Sequence, residues 1–170
     1  SSPHRRRLLQ MGVATTELWT NLGLCCFFAA QYDIALSCFD RALSLASDED
    51  MADVWYNIGH VAVGIGDLGL AYQAFRVAVS VDSAHAEAYN NLGVLEMRKG
   101  NVEAARSNFI TSARLADFLF EPLFNGALLS YKLGDFQDSY TLVRKALANF
   151  ADHADGQELL KTLRAQFIQL

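Results

Sequence analysis

The chain has 170 residues, 52% of them hydrophobic, and a net charge of −5 from 14 Lys and Arg against 19 Asp and Glu. No basic run exceeds Arg5-Arg6-Arg7, so a nucleic-acid groove is not expected. There is no apolar run of membrane-spanning length and no secretory leader, and the expected setting is cytosolic without a membrane span.

Taken in chain order, residues 1–13 carry Leu8, Leu9 and Met11 followed by Gly12. This reads as the end of a helix closed by glycine, left from a preceding repeat. Thr15 or Thr16 is then the expected cap of the next helix. Residues 16–51 hold two helical patterns, one with Leu18, Trp19, Leu22 and Cys26, the other with Ala35, Phe39, Ala42 and Leu43. They end in an acidic linker, Ser47-Asp48-Glu49-Asp50, which places negative charge where a helix N-terminus favours it. Residues 52–85, 86–119 and 120–153 each repeat the two-helix pattern. Turn signals lie at Gly64 to Asp67, Lys99-Gly100-Asn101 and Leu133-Gly134-Asp135. Residues 154–170 form a last helix whose face of Leu159, Leu160, Leu163 and Phe167 is expected to cover the final repeat.

The anchors Trp19, Trp55, Tyr89 and Leu123 are separated by 36, 34 and 34 residues. Each is followed by Leu22-Gly23, Ile58-Gly59, Leu92-Gly93 and the weaker Gly126-Ala127. Small residues then recur at Ala35, Ala71, Ala105 and Ser139, and large ones at Phe39, Phe75, Phe109 and Val143. This pattern is the signature of the tetratricopeptide repeat, a helix–turn–helix unit that stacks into an all-α superhelix. The glycines are expected to let paired helices approach, with the alanines as the matching small side and the rings between layers. The chain lacks an initial Met and starts partway through the pattern, so a fragment of a longer protein, folded as a single array, is expected.

In such a superhelix the first helix of each repeat lines the concave side. Asn21, Asn57, Asn91 and Asn125 recur there, each two residues after an anchor. A carboxamide offers one acceptor and two donors, so a ladder of them can hold an extended peptide backbone. It can equally fix neighbouring repeats to one another, and both readings stay open. Around them the groove offers Leu24 and Phe28, then Tyr56 and His60, then Asn90, Val94 and Arg98, then Phe124, Leu128 and Lys132. This lining suits an apolar or amphipathic partner better than a carboxylate clamp built from several cations.

Little points to chemistry. His4, His60, His85 and His153 are scattered without metal spacing, and no nucleotide or nucleophile motif occurs. Cys25, Cys26 and Cys38 have no zinc-ligand spacing and read as small apolar residues of a reducing compartment. No catalytic residue, metal or cofactor is expected.

Finer matches narrow the family. The stretches LLQMG (8–12), NLGLCCF (21–27), ADVWYNIGHVAVGIGD (52–67) and HAEAYNNLGVLEMRKG (85–100) resemble the tetratricopeptide repeat protein 8 (Bardet–Biedl syndrome protein 8) family of BBSome subunits. The likeness is looser over 107–170, where SYKLGDFQDSY and LRAQFIQL still fit. The resemblance implies a non-enzymatic scaffold in a coat-like adaptor that moves membrane proteins to and from cilia with intraflagellar transport. It implies other BBSome subunits as partners, among them a small extended subunit in the groove, and membrane association only through the complex. It places the protein in the cytoplasm, cilium, basal body and centriolar region. The alternatives are a peptide-motif receptor or chaperone adaptor, and the substrate-binding superhelix of a larger enzyme.

Overall fold

The computed structural model describes residues 3–169, with side chains from residue 15 onward. Among the described residues there are nine helices and no strand. They are α1 (Pro3–Phe28), α2 (Tyr32–Leu45), α3 (Asp48–Gly64), α4 (Leu68–Val81), α5 (Ala86–Arg98), α6 (Val102–Leu115), α7 (Glu121–Lys132), α8 (Phe136–Asn149) and α9 (Ala154–Gln169). The chain divides into two compact units, Ser1–His85 and Ala86–Leu170. Within them α1 packs on α2, α3 on α4, α5 on α6 and α7 on α8, and α9 closes against α8. The all-α, paired-helix architecture follows the 34-residue period.

One boundary differs from the sequence expectation. Helix α1 runs unbroken from Pro3 to Phe28, so Gly12 does not end it and neither Thr15 nor Thr16 caps it. A helical glycine costs about 1 kcal/mol relative to alanine, which neighbouring turns tolerate. Thr20 instead donates from its hydroxyl to the carbonyl of Thr16 one turn back, at 2.9 Å. The side chains of Leu8, Leu9, Met11 and the Arg triplet lie outside the described residues. The acidic segment is likewise helix rather than linker. Ser47 is the cap residue of α3, Asp48, Glu49 and Asp50 form its first turn, and the Ser47 hydroxyl donates to Asp50 at 2.9 Å.

Paired helices are joined by one recurrent turn. Ala30, Gly66, Gly100 and Gly134 all adopt positive φ, at +59°, +83°, +82° and +82°. The next residue closes each turn by a backbone bond reaching back five positions, from Gln31 to Cys26, Asp67 to Ala62, Asn101 to Glu96 and Asp135 to Ser130. This is the Schellman arrangement, which satisfies carbonyls the helix end would orphan. Asp67 and Asp135 then cap α4 and α8, accepting from the amides of Leu70 and Asp138 at 3.1 Å. Asn101 turns away from capping and donates to the buried carboxylate of Glu96 at 2.7 Å.

The glycines face rings rather than the expected alanines. A Cβ on Gly59 would lie 2.5 Å from the Phe75 ring, and one on Gly93 2.5 Å from Phe109; for Gly23 and Phe39 the figure is 3.0 Å. Helical residues 16 apart thus form a flat-on-ring contact between paired helices. In the fourth pair the same positions hold Ala127 and Val143, both fully buried. Unit 1 centres on Phe39, Val54, Ile58, Val61 and Ala74. Unit 2 has a smaller cluster around Phe109 and Leu129 and a larger one in which α9 lays Leu159, Leu160 and Leu163 against Val143, Ala146 and Leu147. Phe167 continues this face, meeting Tyr140 edge-on at 5.5 Å between ring centres.

Candidate functional site: the first-helix faces

In unit 1, α1 and α3 bring Asn21, Tyr56 and Asn57 together. They line a depression of about 470 Å³ with Thr16, Thr20 and Val54, rimmed by Glu17, Asp50 and Asp53. Its rim is more acidic than the groove residues alone suggested, because side chains one turn away reach it. Asn21 is exposed. Asn57 donates from its carboxamide to the carbonyl of Asp53 in its own helix, at 2.8 Å. That bond uses one of the two donors and leaves the acceptor. Leu24 packs partly into the core cluster, while Phe28 (78% exposed) and His60 face solvent outside the depression.

In unit 2 the amides form a relay. Asn125 on α7 donates to the carboxamide oxygen of Asn90 on α5 at 3.0 Å, and Asn90 donates to Asn91 at 3.4 Å. Asn90 is buried, so the relay fastens one layer to the next and also ends at half-buried Asn91. Phe124 is buried too and belongs to the core. Val94 and Leu128 are half-buried against their clusters, and Arg98 and Lys132 are exposed. The four recurrent asparagines therefore occupy different situations. Asn21 and Asn57 look onto an acidic depression, whereas Asn91 and Asn125 are tied into packing.

Sequence reasoning passed over two histidines. In unit 1 the buried His85 stacks on Tyr56 with ring centres 4.9 Å apart, and its Nε2 lies 3.0 Å from a carboxylate oxygen of Asp53. In unit 2, His153 stacks on Phe120 at 4.1 Å and lies 5.4 Å from Phe124, while its Nδ1 accepts from the Gly156 amide at 3.2 Å. Each histidine stands 29 residues after the aromatic it meets, and that spacing was the available signal. Both pairs brace the first-helix aromatic from behind.

Among the described residues no group of three His, Cys, Asp or Glu could hold a metal ion. Cys25 is exposed, Cys26 half-buried and Cys38 buried, all as free thiols. Burial, together with the adjacent Cys26, raises the Cys38 thiol above its ordinary value. No described helix is long and apolar enough to cross a membrane.

Comparison with known proteins agrees with this geometry. The chain is 58% identical over 131 residues to tetratricopeptide repeat protein 8 from Homo sapiens, covering 76% of this chain and 24% of that protein. It is 43% identical over 159 residues to tetratricopeptide repeat protein 8 from Caenorhabditis elegans, covering 94% and 31%. BBSome complex member BBS4 from Xenopus tropicalis is 31% identical over 123 residues, covering 71% and 23%. The chain thus spans between 23% and 31% of the length of these relatives. Among solved structures, pilF from Pseudomonas aeruginosa superposes with a TM-score of 0.81 at 18% identity, covering 93% of this chain and 71% of that one. MamA gives 0.72 at 17% identity, covering 91% and 87%. These two likenesses speak to the fold. The tetratricopeptide repeat profile matches residues 27–84 and 56–117, more than half of the sequence, and the chain belongs to the tetratricopeptide repeat family.

Proposed function

We propose that this chain is a non-catalytic scaffold segment of a BBSome-type adaptor that moves membrane proteins to and from cilia. The observation that carries this reading is the 58% identity to tetratricopeptide repeat protein 8 over 131 residues, far above what repeat grammar alone requires. A second relative printed as a BBSome complex member points the same way. In this role the first-helix faces hold other subunits, including a small extended one. Asn21 and Asn57 bond its backbone over the acidic depression of unit 1, and Asn91 with Arg98 and Lys132 engages it on unit 2. Phe28, exposed beside this face, is an apolar anchor for the same partner. The protein then works in the cytoplasm, at the basal body and centriolar region, and in the cilium, reaching membranes through the complex.

The test is affinity capture of the tagged full-length protein from ciliated cells, with mass spectrometry of stoichiometric partners. BBSome subunits are the expected recovery. Chaperones or scattered motif-bearing clients would replace this reading with that of a peptide receptor. Asn57→Ala with Asn91→Ala is expected to weaken capture while leaving helicity, read by circular dichroism, intact. Unchanged capture would remove the asparagines from the mechanism.

A further inference from the structure

The fourth helix pair, α7 with α8, departs from the other three at positions that converge on one place. Gly126 stands where Leu22, Ile58 and Leu92 stand in the other pairs. In unit 1, Ile58 is buried in a cluster with Ala35, Phe39, Ala42 and Val61. At Gly126 the corresponding space is empty of side chain, and the nearest heavy atom to an added Cβ would be Leu142 Cδ1 at 3.4 Å. A cleft of about 740 Å³ opens there between α6 and α8, floored by Gly126, Leu123 and Leu129.

Three more departures line the same cleft. Ser130 replaces the Cys26, Ala62 and Glu96 of the other pairs, Asp138 replaces Ile34, Leu70 and Ala104, and Asn149 replaces Leu45, Val81 and Leu115. Ser130 donates to Asp138 at 2.6 Å, tying α7 to α8. Asn149 donates to the carbonyls of Asp117 and Leu119 at 2.7 and 3.2 Å, tying the end of α8 to the segment after α6. These two braces hold the helices in place over the gap, so it is built open rather than left by poor packing. A fifth departure forms the lip. Ile110 is 50% exposed where the other pairs carry Asp40, Arg76 and Arg144.

The rim has a definite chemistry. Arg106, Arg114 and Lys145 reach it, and none holds an ion pair or hydrogen bond among the described residues. Of the three rim carboxylates, Asp135 caps α8 and Asp138 accepts from Ser130, leaving Asp117. The floor lacks one leucine-sized side chain and the rim holds unmatched donors. The volume falls in the range of roughly 300–1,000 Å³ typical of ligand sites.

We propose that this cleft docks a partner segment presenting one branched aliphatic or aromatic side chain flanked by carboxylates. The anchor fills the place left by the absent leucine, and its acidic neighbours take bonds from Arg114 and Lys145. Phe124, Asn125, Leu128 and Lys132 do not line the cleft, so it is independent of the first-helix faces.

The experiment is selection of phage-displayed random 12-residue peptides on the 170-residue chain, with counter-selection on Gly126→Leu. A fluorescein-labelled consensus peptide is then titrated by anisotropy. The expected consensus has one bulky apolar residue between acidic ones. Gly126→Leu fills the cleft, and Ile110→Asp, which restores the residue type of Asp40 at an exposed position, removes its lip. Each is expected to weaken binding about tenfold or more at unchanged circular dichroism. Asn57→Ala is expected to leave this binding unchanged. Four results would overturn the proposal: no enrichment over Gly126→Leu, a basic consensus, binding indifferent to both cleft variants, or laurate binding in the cleft without any peptide. Dimerisation of the chain abolished by Gly126→Leu, with no peptide enriched, would also overturn it by assigning the cleft to a second copy.

Discussion

Helix pair α3–α4 of unit 1 and pair α7–α8 of unit 2 carry the same grammar but fill it differently. In the first, Gly59 lies flat against Phe75; in the second, Ala127 faces Val143. The first helix has gained a methyl group and the second has exchanged a ring for a smaller side chain, so one change offsets the other and both sites stay fully buried. The change from Ile58 to Gly126 has no such counterpart, and a cleft remains where it occurred. The comparison teaches how to weigh departures from a repeat. A compensated one preserves packing, whereas an uncompensated one marks a place where something besides packing shaped the residue.

The largest expected effect separates the two pairs directly. Gly59→Leu drives a side chain into the Phe75 ring and is expected to cost about 1–3 kcal/mol or more in urea denaturation. Gly126→Leu is expected to leave stability unchanged or raised, because it enters open space. Equal losses would show that the cleft is not a gap in the packing of α7.

A finer test concerns the offsetting pair. Val143→Phe alone should overpack by about 1–3 kcal/mol, and Ala127→Gly beside it should recover part of that loss. A coupling of about 0.5 kcal/mol or more in the double-mutant cycle is expected for residues in contact. Strict additivity would break the claim that these positions answer one another.

The smallest effect lies in the turns. Ala30 holds the positive φ that glycine holds at Gly66, Gly100 and Gly134. A left-handed conformation costs an L-residue about 1–2 kcal/mol, so Ala30→Gly should stabilise unit 1 and Gly66→Ala should destabilise it by about that amount. Thermal melts of both variants check the two signs together.

Much of this was legible in the sequence because burial of one helix face imposes a period. The anchors, the Gly–Phe spacing of 16 and the turn glycines all report local geometry. What escaped depends on which side chains meet across helices. The sequence showed Gly126 only as a weak match, since an absent side chain says nothing of the space around it. Ala30 was invisible as a turn residue because alanine is a helix former. The four asparagines looked alike in register, but neighbours decided their roles: Asp53 takes the bond of Asn57, and Asn90 takes that of Asn125. Gly12 misled because a glycine ends a helix only where the chain also turns.

The position of the two extra residues in the first step has a practical consequence. The offset from Gly23 to Phe39 equals that from Gly59 to Phe75, and the four turns close by the same backbone register, so no length is gained inside a helix pair. The surplus falls wholly at Ser47–Asp50, where it is absorbed as the start of α3. That junction is the natural point for an inserted epitope or spectroscopic label in unit 1. The same insertion beside Gly66 would throw the ring of Phe75 out of register with its glycine.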